Sequence, residues 1–143
     1  MGKCKIMHFG SKNKQNKYTM NGNELEVVEV EKDVRVLVSS RLKPSQQCSA
    51  ATGKVNGVLG RISRAVQYRD KRTFVQLYKV YVRPHLEYCI QAWSPYHQAH
   101  KDKLEKVQRR AVNIVAGLKG RTYEQKLVEA GLTTLKERRV RGD

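Results

Sequence analysis

Residues 34–66, VRVLVSSRLKPSQQCSAATGKVNGVLGRISRAV, contain the change of pattern that decides the fold. Up to Val38 the run is rich in branched apolar residues, the composition of a strand. Beyond Pro44 the apolar positions 51, 55, 58, 59, 62 and 66 follow steps of three and four, placing them on one face of a helix over about 45–67. Gly53, Gly57 and Gly60 interrupt that helix. Each costs up to about 1 kcal/mol against alanine in a helix interior, and close packing against a neighbour would account for them. Pro44 thus separates a β-rich start, residues 1–43, from a helical remainder, 44–143.

Toward the N-terminus, Cys4–Phe9 alternates apolar with polar residues, and Leu25 and Val27 sit between Glu24, Glu26 and Val28, so three or four short strands are expected. Asn21-Gly22 tolerates the positive φ angles of a tight turn and predicts a β-hairpin between Tyr18-Thr19-Met20 and Glu24–Val27. The polar stretch Gly10–Asn16 reads as an exposed loop. Toward the C-terminus, Asp70 is an N-cap candidate for a second helix, whose stripe is Phe74, Leu77, Tyr78, Tyr81, Tyr88, Cys89 and Trp93. Pro84 should bend or break it at Arg83 unless packing holds a continuous rod. A third helix, about 100–118, carries Leu104, Val107, Ala111, Ile114 and Leu118, with Gly117 and Gly120 as candidate C-caps. The pairs Thr122/Gln125 and Thr134/Glu137 are capping boxes that open two short helices. The class is therefore α+β: a short antiparallel β-hairpin element, then a mostly helical bundle of four or five helices.

In 143 residues, 29 Lys and Arg face 13 Asp and Glu, a formal charge of +16. Residues 1–40 hold seven basic and five acidic side chains; 41–143 hold 22 and eight. This balance argues against an ordinary metabolic enzyme and points to an anionic partner, nucleic acid before membrane. No stretch approaches the roughly 18 apolar residues of a spanning helix, and no signal-like apolar run follows Met1, so a soluble intracellular chain is expected. Cys4, Cys48 and Cys89 are odd in number and far apart, which favours reduced thiols over a disulfide framework. Ile6 stands where a myristoylation signal wants Ser or Thr, and the ending Arg141-Gly142-Asp143 offers no prenylation cysteine.

Catalytic residues are hard to find. Asp33, Asp70, Asp102 and Asp143 are isolated, and Glu24, Glu26, Glu29 and Glu31 read as a solvated acidic face rather than a metal site. Cys4/His8, His85/Cys89 and His97/His100 are lone pairs without the second pair of a structural zinc. No phosphate-binding glycine loop is present, and neither a metal nor a small-molecule substrate is expected. The cations are patterned instead. Lys54, Arg61 and Arg64 lie on the polar side of the first helix, Arg69, Lys71 and Arg72 crowd the next turn, and Lys103, Lys106, Arg109 and Arg110 recur on the third helix. Such faces can follow a phosphate backbone. Tyr78, Tyr81, Tyr88 and Trp93 could stack bases, but their spacing is that of a core stripe, and packing is the preferred reading.

Several longer motifs, Leu77-Tyr78-Lys79-Val80-Tyr81-Val82-Arg83-Pro84-His85-Leu86-Glu87-Tyr88, Gln91-Ala92-Trp93-Ser94-Pro95, Leu104-Glu105-Lys106-Val107-Gln108-Arg109-Arg110-Ala111, Gly117–Glu124 and Glu137–Asp143, are also distinctive. In that order and spacing the chain resembles the C-terminal region of a non-LTR retrotransposon (LINE) reverse transcriptase of the Jockey and chicken-repeat-like group. The resemblance implies that Gly2–Gly10 is a palm strand, with Lys3 at the position of a lysine near the incoming nucleotide's phosphates. It implies further that residues 18–34 form the hairpin gripping the primer end, and that the helices from Ser45 onward form a thumb holding an RNA–DNA hybrid or duplex. In that family the Asp-Asp motif that binds Mg2+, the fingers and the endonuclease lie upstream of the position of Met1. Two local departures stand out: Lys32-Asp33-Val34-Arg35 where the family has Gly after Lys-Asp-Leu, and Arg41 where it has Asp or Asn.

The resulting expectation is a piece of an RNA-directed DNA polymerase that binds template–primer nucleic acid without polymerising alone, with a nuclear address suggested by charge and family. Its rivals are the translation of a decayed element with no selected function, a small nucleic-acid-binding or interaction module recruited after loss of the catalytic part, and residual polymerisation with a palm supplied in trans.

Overall fold

The computed structural model describes residues 4–66 and 70–141. Lys3, Arg69, Gly142 and Asp143, singled out above, lie outside the described residues, as does Gln67 at the expected end of the first helix. The chain is α+β, with short strand pairs followed by helices, and it divides into two compact units, one up to Gln47 and one from Cys48.

Among its described residues the first unit contains three two-stranded pairs. β1 (Lys5–Ile6) pairs in parallel with β4 (Glu26–Val27), and the Val28 N–H extends the pairing by donating to the Ile6 carbonyl at 2.8 Å. β2 (Thr19–Met20) and β3 (Asn23–Glu24) are antiparallel about Asn21-Gly22, whose φ angles of 51° and 78° are those the dipeptide favours. β5 (Val30–Asp33) and β6 (Val36–Ser39) are antiparallel, with Asp33 opposite Val36. Val34 and Arg35 are therefore a turn rather than the start of a strand, and both have positive φ, 43° and 67°. Positive φ at both central residues is one of the two conformations in which a two-residue connection matches the twist of its strands, so the pairing overrides the branched residue's strand preference. Behind the hairpin, the buried Gln47 side chain accepts the Leu37 N–H at 2.8 Å.

The helices are α1 (Ser45–Ala65), α2 (Lys71–Leu77), a π-helical turn (Tyr78–Val82), α3 (Arg83–Glu87), α4 (Ile90–Trp93), α5 (Gln98–Ile114), α6 (Tyr123–Ala130) and α7 (Leu135–Arg141). In the second unit, Val55 and Leu59 of α1, Phe74, Tyr78, Val82 and Leu86 of the α2–α3 rod, Leu104, Val107, Ala111 and Val112 of α5, and Leu127 and Leu135 of α6 and α7 are buried. Burial of each large apolar side chain contributes about 1.5–3 kcal/mol. The Asp70 carboxylate caps α2 by accepting the Thr73 N–H at 3.0 Å. Thr122 with Gln125 and Thr134 with Glu137 exchange the reciprocal bonds of capping boxes.

Four local expectations need correction. Pro84 does not break the helix: Arg83 keeps helical angles (φ −57°, ψ −41°), and its N–H bonds to the Tyr78 carbonyl, five residues back. This wider turn makes room for the proline ring. The break comes instead at Tyr88–Cys89, where Cys89 takes φ 51° and the buried Trp93 indole donates to the Tyr88 carbonyl at 2.7 Å. Gly53 and Gly57 pack against nothing, since a Cβ at either would meet no atom within 4 Å, and Gly60 would meet only Arg64 at 3.8 Å. Finally, α5 ends in Val115 at extended angles, and Gly117 and Gly120, at φ 85° and 77°, turn the chain beyond it. The glycine cap belongs to α6. Gly131, at φ 60°, closes that helix as the Leu132 N–H reaches back to the Leu127 carbonyl.

Candidate nucleic-acid interface

The cations on α1 and α5 are displayed because the apolar spacing of each helix turns the opposite side outward. Lys54, Arg61, Arg64, Lys103, Lys106, Arg109 and Arg110 are all exposed. One hydrogen bond joins the two helices: Arg110 Nη1 donates to the Asn56 side-chain carbonyl at 3.3 Å. Lys103, Lys106 and Arg110 stand one turn apart along α5.

Arg109 stands apart. Its guanidinium lies over the Tyr123 ring, 4.6 Å from the centroid, which commits it to α6. Beside it is a buried polar cluster centred on Gln108, which is fully buried. The Gln108 side-chain carbonyl accepts the Tyr78 hydroxyl at 2.7 Å, and its amide donates to the Thr133 carbonyl at 2.9 Å and to the Tyr123 hydroxyl at 3.3 Å. The Tyr123 hydroxyl in turn donates to Glu105. Burial pushes the Tyr123 phenol up, helped by the Glu105 carboxylate, and burial pushes Tyr78 up as well. Both remain neutral donors at physiological pH. Nearby, burial raises the Cys48 thiol against the pull of Lys103 and Arg139, and burial lowers Arg139.

The acidic side chains of this unit are largely committed elsewhere. Glu87 receives Arg138 bidentately and has Arg83 at 3.6 Å; Glu129 pairs with Arg121; Asp102 accepts from Gln98 at 2.8 Å. Among the described residues, no ion pair involves any of the seven cations above. In the first unit Glu31 pairs with Lys5 at 2.7 Å and Glu24 with Lys17 at 2.9 Å, so these glutamates are divided between two lysines rather than gathered at one point. Among the described residues, no three His, Cys, Asp or Glu stand together as a metal site, and no helix is long and apolar enough to cross a membrane.

The aromatic stripe divides. Tyr78 and Trp93 are buried as expected, but Tyr81 and Tyr88 are 56% and 43% exposed, against the expectation that all four pack. Tyr81 lines an apolar groove of about 490 Å³ between α1 and the α2–α3 rod, with Val58, Ile62 and Leu77 on its walls and Arg61 and His85 beside them. Burial, assisted by nearby Lys54, lowers the pKa of His85 and keeps its imidazole neutral at pH 7. Sequence spacing did not reveal this groove.

Fold and site together define a small, strongly basic α+β chain in which the seven named cations of α1 and α5 have no ion pair among the described residues. No family model matches the chain, and no curated protein or solved structure is significantly similar to it.

Proposed function

We propose that this chain is the thumb-like nucleic-acid-holding part of a non-LTR retrotransposon reverse transcriptase. It would bind an RNA–DNA hybrid or duplex through the phosphates, with polymerisation residing in the Asp-Asp segment that the resemblance places upstream. One observation carries the binding half of this reading: α1 and α5 present Lys54, Arg61, Arg64, Lys103, Lys106 and Arg110 exposed and, among the described residues, without an acidic partner. Cations left unneutralised by their own fold gain most from phosphates, and the release of condensed counterions makes such binding steeply salt-dependent. The family assignment rests on the motifs quoted above.

The test is a titration of the purified chain with a labelled RNA–DNA duplex at two salt concentrations. Replacing Lys103, Lys106 and Arg110 by glutamate is expected to weaken binding and flatten the logarithmic salt slope by about one for each phosphate no longer neutralised. An unchanged affinity and slope would refute the interface.

A second reading has one observation in its favour. Val34 and Arg35 occupy a turn that demands positive φ, and Arg35 stands where the resembled family has glycine. A strained substitution at such a position fits an element drifting without selection. A chain that is unfolded or aggregated after purification would support that reading over the first.

A further inference from the structure

Tyr81 is unusual among the aromatic residues of the helical unit. Its ring is more than half exposed, lies on the wall of an apolar groove, and has no ring, hydrogen-bond or ionic partner among the described residues. Arg61 is part of the same groove, Lys54 sits two turns before it on α1 and near His85, and none of the lining residues is acidic. An aromatic face on an apolar wall, flanked by cations, is complementary to a planar ring that carries phosphates on either side. The groove is also large enough to hold a group the size of a small ligand.

We propose that this groove takes an unpaired nucleobase of a single-stranded segment, stacked on Tyr81, with the adjoining phosphates held by Arg61 and Lys54. The inference rests on the nucleic-acid reading above and makes it more specific. Bases inside a duplex already stack on one another and leave no ring face free for a side chain, so the outward cations of α1 and α5 suit a duplex. The Tyr81 groove suits the strand beyond the paired region, where a base is free to leave its neighbours.

The experiment compares the whole chain with Tyr81→Ala and Tyr81→Phe, both checked for folding by circular dichroism, on three short labelled probes: a single DNA strand, a blunt duplex, and an abasic strand of the same charge. Tyr81→Ala is expected to lose about tenfold in affinity for the single strand, the contribution of one stacked base, and less than twofold for the duplex and the abasic strand. Tyr81→Phe should bind like the unaltered chain, because the ring is retained. Equal losses on all three probes, or no loss on the single strand, would overturn the stacking site without refuting the proposal that the chain holds a duplex. A chain that binds neither duplex nor single strand would overturn the broader reading as well. Tyr81-dependent capture of an acidic amphipathic peptide, without Tyr81-dependent strand binding, would reassign the groove to a protein partner.

Discussion

At Arg35 the backbone and the side chain disagree. With φ at 67° its Cβ crowds the following carbonyl, a strain of about 1–2 kcal/mol for a residue other than glycine, and Val34 beside it, at 43°, is β-branched and less suited still. Arg35→Gly is therefore expected to stabilise the chain by roughly 0.5–1 kcal/mol, the relief of strain being partly offset by the greater freedom of glycine in the unfolded state. Urea unfolding checks this, and a loss of stability would mean that the Arg35 side chain compensates for its strain elsewhere. Gly57 presents the opposite case. It occupies ordinary helical backbone in α1 with open space around its missing Cβ, so Gly57→Ala should raise stability by roughly 0.5–1 kcal/mol in the same assay. Here glycine is a cost with no packing return, contrary to what its repetition in the sequence suggests.

The rod from α2 through α3 shows what an element adds to its residues. Phe74, Tyr78, Val82 and Leu86 are buried at a constant step of four. An α-helix with 3.6 residues per turn drifts about 40° at each such step, and a turn of π-helix takes up part of that drift. Along this rod Tyr78 faces inward and Tyr81, three residues on, faces outward. Features governed by a few neighbouring residues were legible in the sequence: the Asn21-Gly22 turn, the Asp70 cap, and the boxes at Thr122 and Thr134. Features that depend on distant partners were not. Pro84 was a breaker by local rules, yet the helix continues through it, and Cys89, which carries no breaking signal, is where the chain turns.

On the scale of the whole molecule, charge is the most readable property and the least local. The placement of Lys54, Arg61, Arg64, Lys103, Lys106 and Arg110 on outward faces followed from periodicity alone. That Arg110 reaches Asn56 while its neighbour Arg109 turns to Tyr123 required the packing of α1, α5 and α6. The Gln108 cluster was invisible for the same reason, because it joins residues of the rod, α5, α6 and the segment before α7. Replacing Gln108 by leucine would leave the buried Tyr78 hydroxyl without its acceptor and the Thr133 carbonyl without that donor, at about 1–3 kcal/mol for each orphaned group. The cluster also has a kinetic consequence. One amide ties Tyr123, at the start of α6, and Thr133, just before α7, to the same point on α5, so neither short helix can peel away without breaking that tie. Backbone amides of α6 and α7 should exchange with deuterium at the rate of α5, as one cooperative opening unit, and in Gln108→Leu those two helices should exchange first.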